Sequence, residues 1–357
     1  MLVKLTNTML RPFMYLLSFI LPLSTCVFLA SGPHSYGGAL AWTLPFWLVL
    51  LVDWLGPKVT VQPDSRPVKR YYDTLLGALT LLQCFNIILM LQYVSDLVWQ
   101  TPSDWGVGLV NLVVVRFVVG TSSGTSAIVV AHELIHRPQI YWQLCGRVLL
   151  LSVCYEHFVV THKQGHHSNV GMAEDIATAR FGETFKAYWR RVYIGQLRYA
   201  WHVEQQRLGL QDSQVNCRQM LNNQVLHGLL LEALLLLLVL LCFGWLAAAL
   251  FIYQAVAAVR ILEAVNYFQH WGLSDGRFGK SFGWVNSAWL TSYLFIGLAN
   301  HIGHHTDEKA HFYQIPYSGQ GPRLPYGYFV MNLWVKLGNS SYQKMAERAL
   351  LDFQRLG

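Results

Sequence analysis

The sequence predicts an all-α integral membrane protein of about six transmembrane helices. Three observations point to it. Hydrophobic residues make up 54% of the chain and charged residues 13%, about half the charged share of a soluble domain. Several apolar runs reach the roughly 20 residues needed to cross a bilayer as a helix. Histidines cluster in or at the ends of those runs, where a lone imidazole is costly to bury unless its nitrogens find partners.

The spans are expected at 13–31, 39–55, 73–95, 106–131, 225–242 and 244–261, the last two hinged at Gly244, all within a single membrane domain over 1–357. The basic start up to Arg11 resembles a signal peptide, but the run over 13–30 is long for one and further spans follow, so it reads as a retained first helix. Lys4, Arg11, Lys58, Arg66, Lys69 and Arg70 fall on one side. The loop at 31–38 has no charge apart from His34, and the next outer loop carries only Asp96 and Asp104. The positive-inside rule then places both termini in the cytoplasm. The fourth span returns there just as His132 appears, and the sixth just before His270. The cytoplasmic catalytic segments are therefore expected at 132–223 and 262–340. Within them, 140–160 reads as a buried or interfacial helix, 174–223 as a polar helical segment, and 286–300 as an interfacial helix. The tail over 341–355 carries an apolar stripe of Met345, Ala349, Leu350 and Phe353.

Four clusters hold nine histidines: His132 and His136; His162, His166 and His167; His270; and His301, His304 and His305. Residues three or four apart share a helix face, so His132 with His136, His162 with His166, and His301 with His304 and His305 are each expected to lie on one face. The adjacent pairs His166-His167 and His304-His305 diverge, so each pair can serve two ions. Gly165 and Gly303 precede these pairs, where backbone freedom would help aim the rings. Nine imidazoles are too many for one ion and suit two, with positions open to a substrate such as dioxygen. Imidazole binds iron, zinc, copper or nickel, so the ligands alone do not name the metal.

His132-Glu133-Leu134-Ile135-His136 also fits the zinc hydrolase pattern, with Glu133 as base. That reading leaves seven histidines unexplained. A metal transporter would place its site near the bilayer midplane, usually in repeated halves; here the clusters gather at one edge and no repeat is visible. The net charge of +7 comes without a separate basic tail, which disfavours nucleic-acid binding. The six cysteines, at 26, 84, 145, 154, 217 and 242, form no Cys-x-x-Cys pair, and no dinucleotide or phosphate loop is present. Electrons for any redox chemistry must come from another protein.

Taken together, these residues resemble the membrane-bound alkane monooxygenases of the wider fatty acid desaturase and hydroxylase superfamily. The resemblance covers roughly 40–335. It rests on Asp53-Trp54-Leu55-Gly56, the four histidine clusters, His157-Phe158, Glu174-Asp175 with Ala179-Arg180-Phe181-Gly182-Glu183, Asn266-Tyr267, Gly272-Leu273, and Leu324-Pro325-x-Gly327-Tyr328. It implies six spans and two iron ions held by the nine histidines. It further implies terminal hydroxylation of alkanes, with electrons from rubredoxin or ferredoxin and its reductase, and a bacterial inner-membrane location. Acyl desaturation or hydroxylation and aryl-methyl hydroxylation are the sister chemistries of such a site.

Carboxylates behind the ligands orient imidazoles and raise their basicity. Three places where the family usually has one hold Thr161, Gln269 and Gly303. Glu133, His157, Glu263, Asn266 and Gln269 are candidates to bond the ligands from behind, and Glu156, Glu174, Asp175 and Asp307 could compensate. His34, His202, His227 and His311 read as ordinary histidines. A hydrophobic substrate would enter from the lipid, with Trp42, Phe46, Trp47 and Trp54 as candidate channel residues. The Arg-rich segment at 186–218 would receive an acidic electron donor.

Overall fold

The computed structural model describes residues 11–65, 67–172, 174–210, 217–274 and 281–356. Lys4, Arg66 and Asp212 lie outside the described residues. Among those described there is no β-strand, only isolated bridges between Lys58 and Ala288 and between Val285 and Arg323.

Among the described residues, five helices are long and apolar enough to cross a membrane: α1 (Arg11–Ala30), α2 (Tyr36–Leu55), α3 (Lys69–Ser95), α4 (Pro102–Ile135) and, after shorter helices, one over Gln224–His270. That last helix runs 47 residues but breaks at Gly244, where φ is 84° and ψ is 174°, a left-handed φ that glycine adopts without strain. Two bonds show that its limbs fold back on each other. Glu232, twelve residues before the break, accepts from the Glu156 backbone N–H at 2.8 Å. Gln254, ten residues after it, donates to the Ser152 carbonyl at 2.9 Å. Both limbs thus reach the same short segment, and the helix counts as two crossings.

Helix starts follow their caps. Thr101 and Asp104 form a reciprocal capping box at the head of α4, with Pro102 in the first turn. α4 then runs parallel to the limb after Gly244, in close contact through glycines. A Cβ on Gly120 would lie 2.9 Å from Ala257 Cβ, and one on Gly124 2.9 Å from Ile261 Cβ. The two helices therefore deliver His132 and His270 at the same end.

The cap of the site is built from α5 (Ile140–Leu151), α6 (Phe185–Arg207), the short helices Trp289–Leu294 and His301–Thr306, and the terminal pair Tyr328–Leu337 and Asn339–Leu356. The segment 286–300, expected to be interfacial, is instead buried: Leu290, Thr291, Ser292, Tyr293 and Leu294 all lie inside. It packs there because Asp53 reaches across from α2. Its carboxylate accepts from Thr291 Oγ1 at 2.6 Å and from the Phe329 backbone N–H at 3.0 Å, capping the helix that starts at Tyr328. Gly327 has no room for a side chain, since a Cβ would overlap the Asp53 carboxylate. The two distant motifs containing Asp53 and Gly327 are thus one contact. The last helix buries Tyr342, Ala346 and Leu350 and leaves its other face outside.

Candidate metal centre

The nine histidines converge into two groups. His132, His136, His162, His167 and His304 form one; His166, His270, His301 and His305 form the other. Within each group the ligand atoms all lie within 4.8 Å of one another. The adjacent pairs split as their divergence requires: His166 and His305 go to one group, His167 and His304 to the other.

Two pairings differ from the sequence expectation. His301 and His304, three apart, fall in different groups. His162 and His166, four apart, do not share a group either; His162 joins His167, five apart. For this second pairing the cause is local. Residues Thr161–His166 form a π-helical turn, whose hydrogen bonds step by five residues rather than four. A second π turn, Ser123–Ala127, lies in α4 ahead of His132. Gly165 sits in the first of these turns because Tyr199 packs against it: a Cβ there would lie 2.5 Å from the ring. Close approach, not backbone freedom, is the requirement. The same holds at Gly303, where a Cβ would overlap the Pro316 carbonyl oxygen. The family's usual aspartate has no space here. Gly303→Asp is expected to lower the thermal midpoint and the activity, at a cost of about 1–3 kcal/mol or more for overpacking. A variant as stable and active as the parent would show that the 315–316 backbone yields easily.

The groups fit metal ions better than hydrogen bonding. His162 Nε2 lies 3.0 Å from His136 Nε2 and 3.0 Å from His167 Nε2. His304 Nε2 is 3.1 Å from His167 Nε2, and His301 Nε2 is 2.9 Å from His270 Nε2 and 3.1 Å from His305 Nε2. A ring nitrogen carries either one hydrogen or one lone pair, so it satisfies at most one such contact. Around a cation at about 2.1 Å from each nitrogen, ligands at right angles stand about 3.0 Å apart. His132 Nε2 and His166 Nε2 are buried without hydrogen-bond partners. Burial, then the neighbouring imidazoles, hold the rings neutral: His136 is pushed down to about 2 and His167 to about 3. His301, His304 and His305 fall well below their ordinary value for the same reasons. Neutral rings are the ligand form.

Two carboxylates contact the rings from behind. Asp175 lies 2.8 Å from His166 Nδ1 and is itself held by Thr178 Oγ1 at 2.5 Å and the Ala177 N–H at 2.9 Å. Glu308 lies 3.3 Å from His167 Nδ1; the sequence reading passed over it, although it follows His305 by three residues. The other candidates are placed elsewhere. Glu133 is paired with Arg137 at 2.9 Å, and Arg137 also reaches Asp73 at 3.3 Å. Glu133 is therefore engaged, not free to act as the base of a zinc hydrolase. Glu263 accepts from Tyr155, Tyr188 and Asn266 at 2.8, 2.9 and 3.2 Å. His157 packs edge-on against Tyr155. Gln269 donates to the Tyr328 hydroxyl, and Thr161 to the Phe158 carbonyl at 3.3 Å. Glu156 pairs with Arg147 at 2.5 Å. Asp175→Asn is expected to weaken metal retention 10–100-fold, read by metal content after dialysis. Unchanged retention would remove Asp175 from the role.

Between the groups lies a cavity of about 20 Å³, room for one small molecule. His132, His162, His166, His301 and Asn266 edge it, and Ile128, Val129, Phe158, Leu262, Val265 and Leu298 make the rest of its wall. Of the four proposed channel residues, Phe46 lines a second cavity, of about 270 Å³. Trp47 and Trp54 are exposed on α2, and Trp42 packs toward Phe28 and His34.

The sequence pattern of the fatty acid desaturase family matches residues 108–320, the stretch that holds every one of these histidines. Alkane 1-monooxygenase 1 of Pseudomonas aeruginosa is 32% identical over 304 residues, covering 79% of this chain and 78% of that protein. The chain belongs to the membrane alkane monooxygenase family. Alkane 1-monooxygenase 2 of Alcanivorax borkumensis is 25% identical over 351 residues, 93% of this chain and 89% of that one. The hydroxylase component of a Pseudomonas putida xylene/toluene monooxygenase is 27% identical over 209 residues, 57% of this chain and 55% of that one. Membership identifies a membrane oxidoreductase of the monooxygenase type.

Proposed function

We propose that this alkane monooxygenase family member is a di-iron enzyme that hydroxylates the terminal carbon of medium- and long-chain alkanes to 1-alkanols. The observation that carries the reading is the small, mostly apolar cavity edged by histidines of both groups. His132, His136, His162, His167 and His304 would hold one iron; His166, His270, His301 and His305 would hold the other. Bound there, the irons supply the dioxygen activation that no side chain provides.

The chain's own residues do the rest. Asp175 accepts from His166 Nδ1 and so turns its Nε2 lone pair inward, and the Glu308 carboxylate stands beside His167 Nδ1. Ile128, Val129, Leu262 and Val265 exclude water and accept an apolar chain end. The histidines lie at the cytoplasmic end of the helices, with the enzyme in a bacterial inner membrane. Rubredoxin or ferredoxin delivers the electrons on that face. Within the Arg-rich segment, Arg190 and Arg198 are exposed and suit an acidic donor, whereas Arg191 is committed to Glu183 at 2.8 Å and Arg207 to Glu204 at 2.7 Å.

Cells that express the protein with a rubredoxin and its reductase, fed alkanes, fatty acids and xylene, test the substrate. A 1-alkanol as main product supports the reading. A hydroxy acid, an alkene or an aryl alcohol instead would move the reaction to a sister class of the same site.

A further inference from the structure

The second cavity, of about 270 Å³, opens between α4, the limb after Gly244 and the helix Tyr328–Leu337. Its walls combine two features rarely found together in a membrane domain. Phe46, Phe117, Ile261, Phe295, Phe329 and Leu333 make much of it apolar, yet Arg116, Arg260 and Lys336 all line it and no Asp or Glu does. Arg116 lies in the middle of α4, where a charge is costly and marks function more often than not. Its guanidinium sits 4.7 Å above the Tyr253 ring, and its Nε is buried without a hydrogen-bond partner. Arg260 faces the Phe185 ring at 5.8 Å. Among the described residues, no carboxylate forms an ion pair with any of the three. Burial, then the charges of Arg260 and Arg116, push Lys336 down to about 7. Three basic side chains, Arg116 and Lys336 half-buried and Arg260 exposed, thus converge on one apolar hollow.

We propose that this cavity binds an anionic amphiphile, a molecule with an acyl chain against the aromatic wall and a carboxylate or phosphate head between Arg116, Arg260 and Lys336. The guanidinium of Arg116 offers the planar donor set suited to either head, and Thr121 lines the cavity on the α4 side. No histidine of either group lines this cavity, and the proposal does not depend on which reaction they perform.

Native mass spectrometry of the full chain in detergent micelles tests it. The probes are dodecanoate and dioleoyl-phosphatidylglycerol, against the neutral dodecanol and dioleoyl-phosphatidylcholine. Binding of either anionic probe, and not of its neutral counterpart, is the expected result. Dodecanoate alone would identify a fatty-acid site, phosphatidylglycerol alone a lipid headgroup site. Arg260→Gln and Lys336→Gln should each weaken that binding about tenfold, and Arg116→Gln at least as much. Arg116→Lys, which keeps the charge, should retain part of it and controls for folding. Equal binding of charged and neutral probes would overturn the proposal. So would undiminished binding in a folded variant lacking both Arg260 and Lys336 charges.

Discussion

Replacing His166 with alanine is expected to abolish product formation and to lower the iron content from about two to about one ion per chain. His166 is the ligand of its group that Asp175 fixes from behind. It also bridges the two groups in space, with ring centroids 4.8 Å from His270 and 6.0 Å from His167. With it gone, His270, His301 and His305 remain, while the five-histidine group is intact. The expected signature is therefore partial metal loss with complete loss of turnover. Full activity, or loss of both ions together with the fold, would contradict the division into two groups.

Arg137→Met is expected to cost about 3 kcal/mol or more of stability, seen as a marked fall in thermal midpoint in detergent. Arg137 is 2% exposed and holds two carboxylates, Glu133 on α4 and Asp73 on α3. Removing one partner of a buried pair leaves the other charge uncompensated, which costs more than the pair itself contributes. Glu133 neighbours His132, so the loss should also weaken metal binding. Adding Glu133→Gln to the Arg137→Met variant should recover part of the loss. An unchanged midpoint in the single variant would show that the pair contributes nothing.

The membrane helices were legible because a bilayer leaves few options: long apolar runs form helices, and Gly244 marked the fold-back by interrupting one. The nine histidines were legible for a related reason, as polar groups too numerous to be incidental in apolar surroundings. What the sequence hid was register. Helical spacing put His162 with His166, but the π turn at Thr161–His166 substitutes His167. Within that turn Gly165 lies against Tyr199, a contact between distant segments that leaves no room for a side chain. The missing carboxylates looked like lost supports. Yet Gly303 is filled by the Pro316 backbone, and Glu308, outside the expected positions, stands behind His167. Trp47 and Trp54 read as channel residues by type, but helix α2 turns them outward. Arg116 stands alone in an apolar run of the sequence, and only the fold places it beside Arg260 and Lys336.

The most direct test of the central claim is oxygen transfer. The purified, iron-loaded protein, reduced through a rubredoxin and its reductase, would be given dodecane under 18O2 and the products weighed by mass spectrometry. A di-iron terminal hydroxylase predicts 1-dodecanol carrying one 18O atom, absent in the His166→Ala variant. An alkanol without the label, or an alkene as the main product, would contradict it.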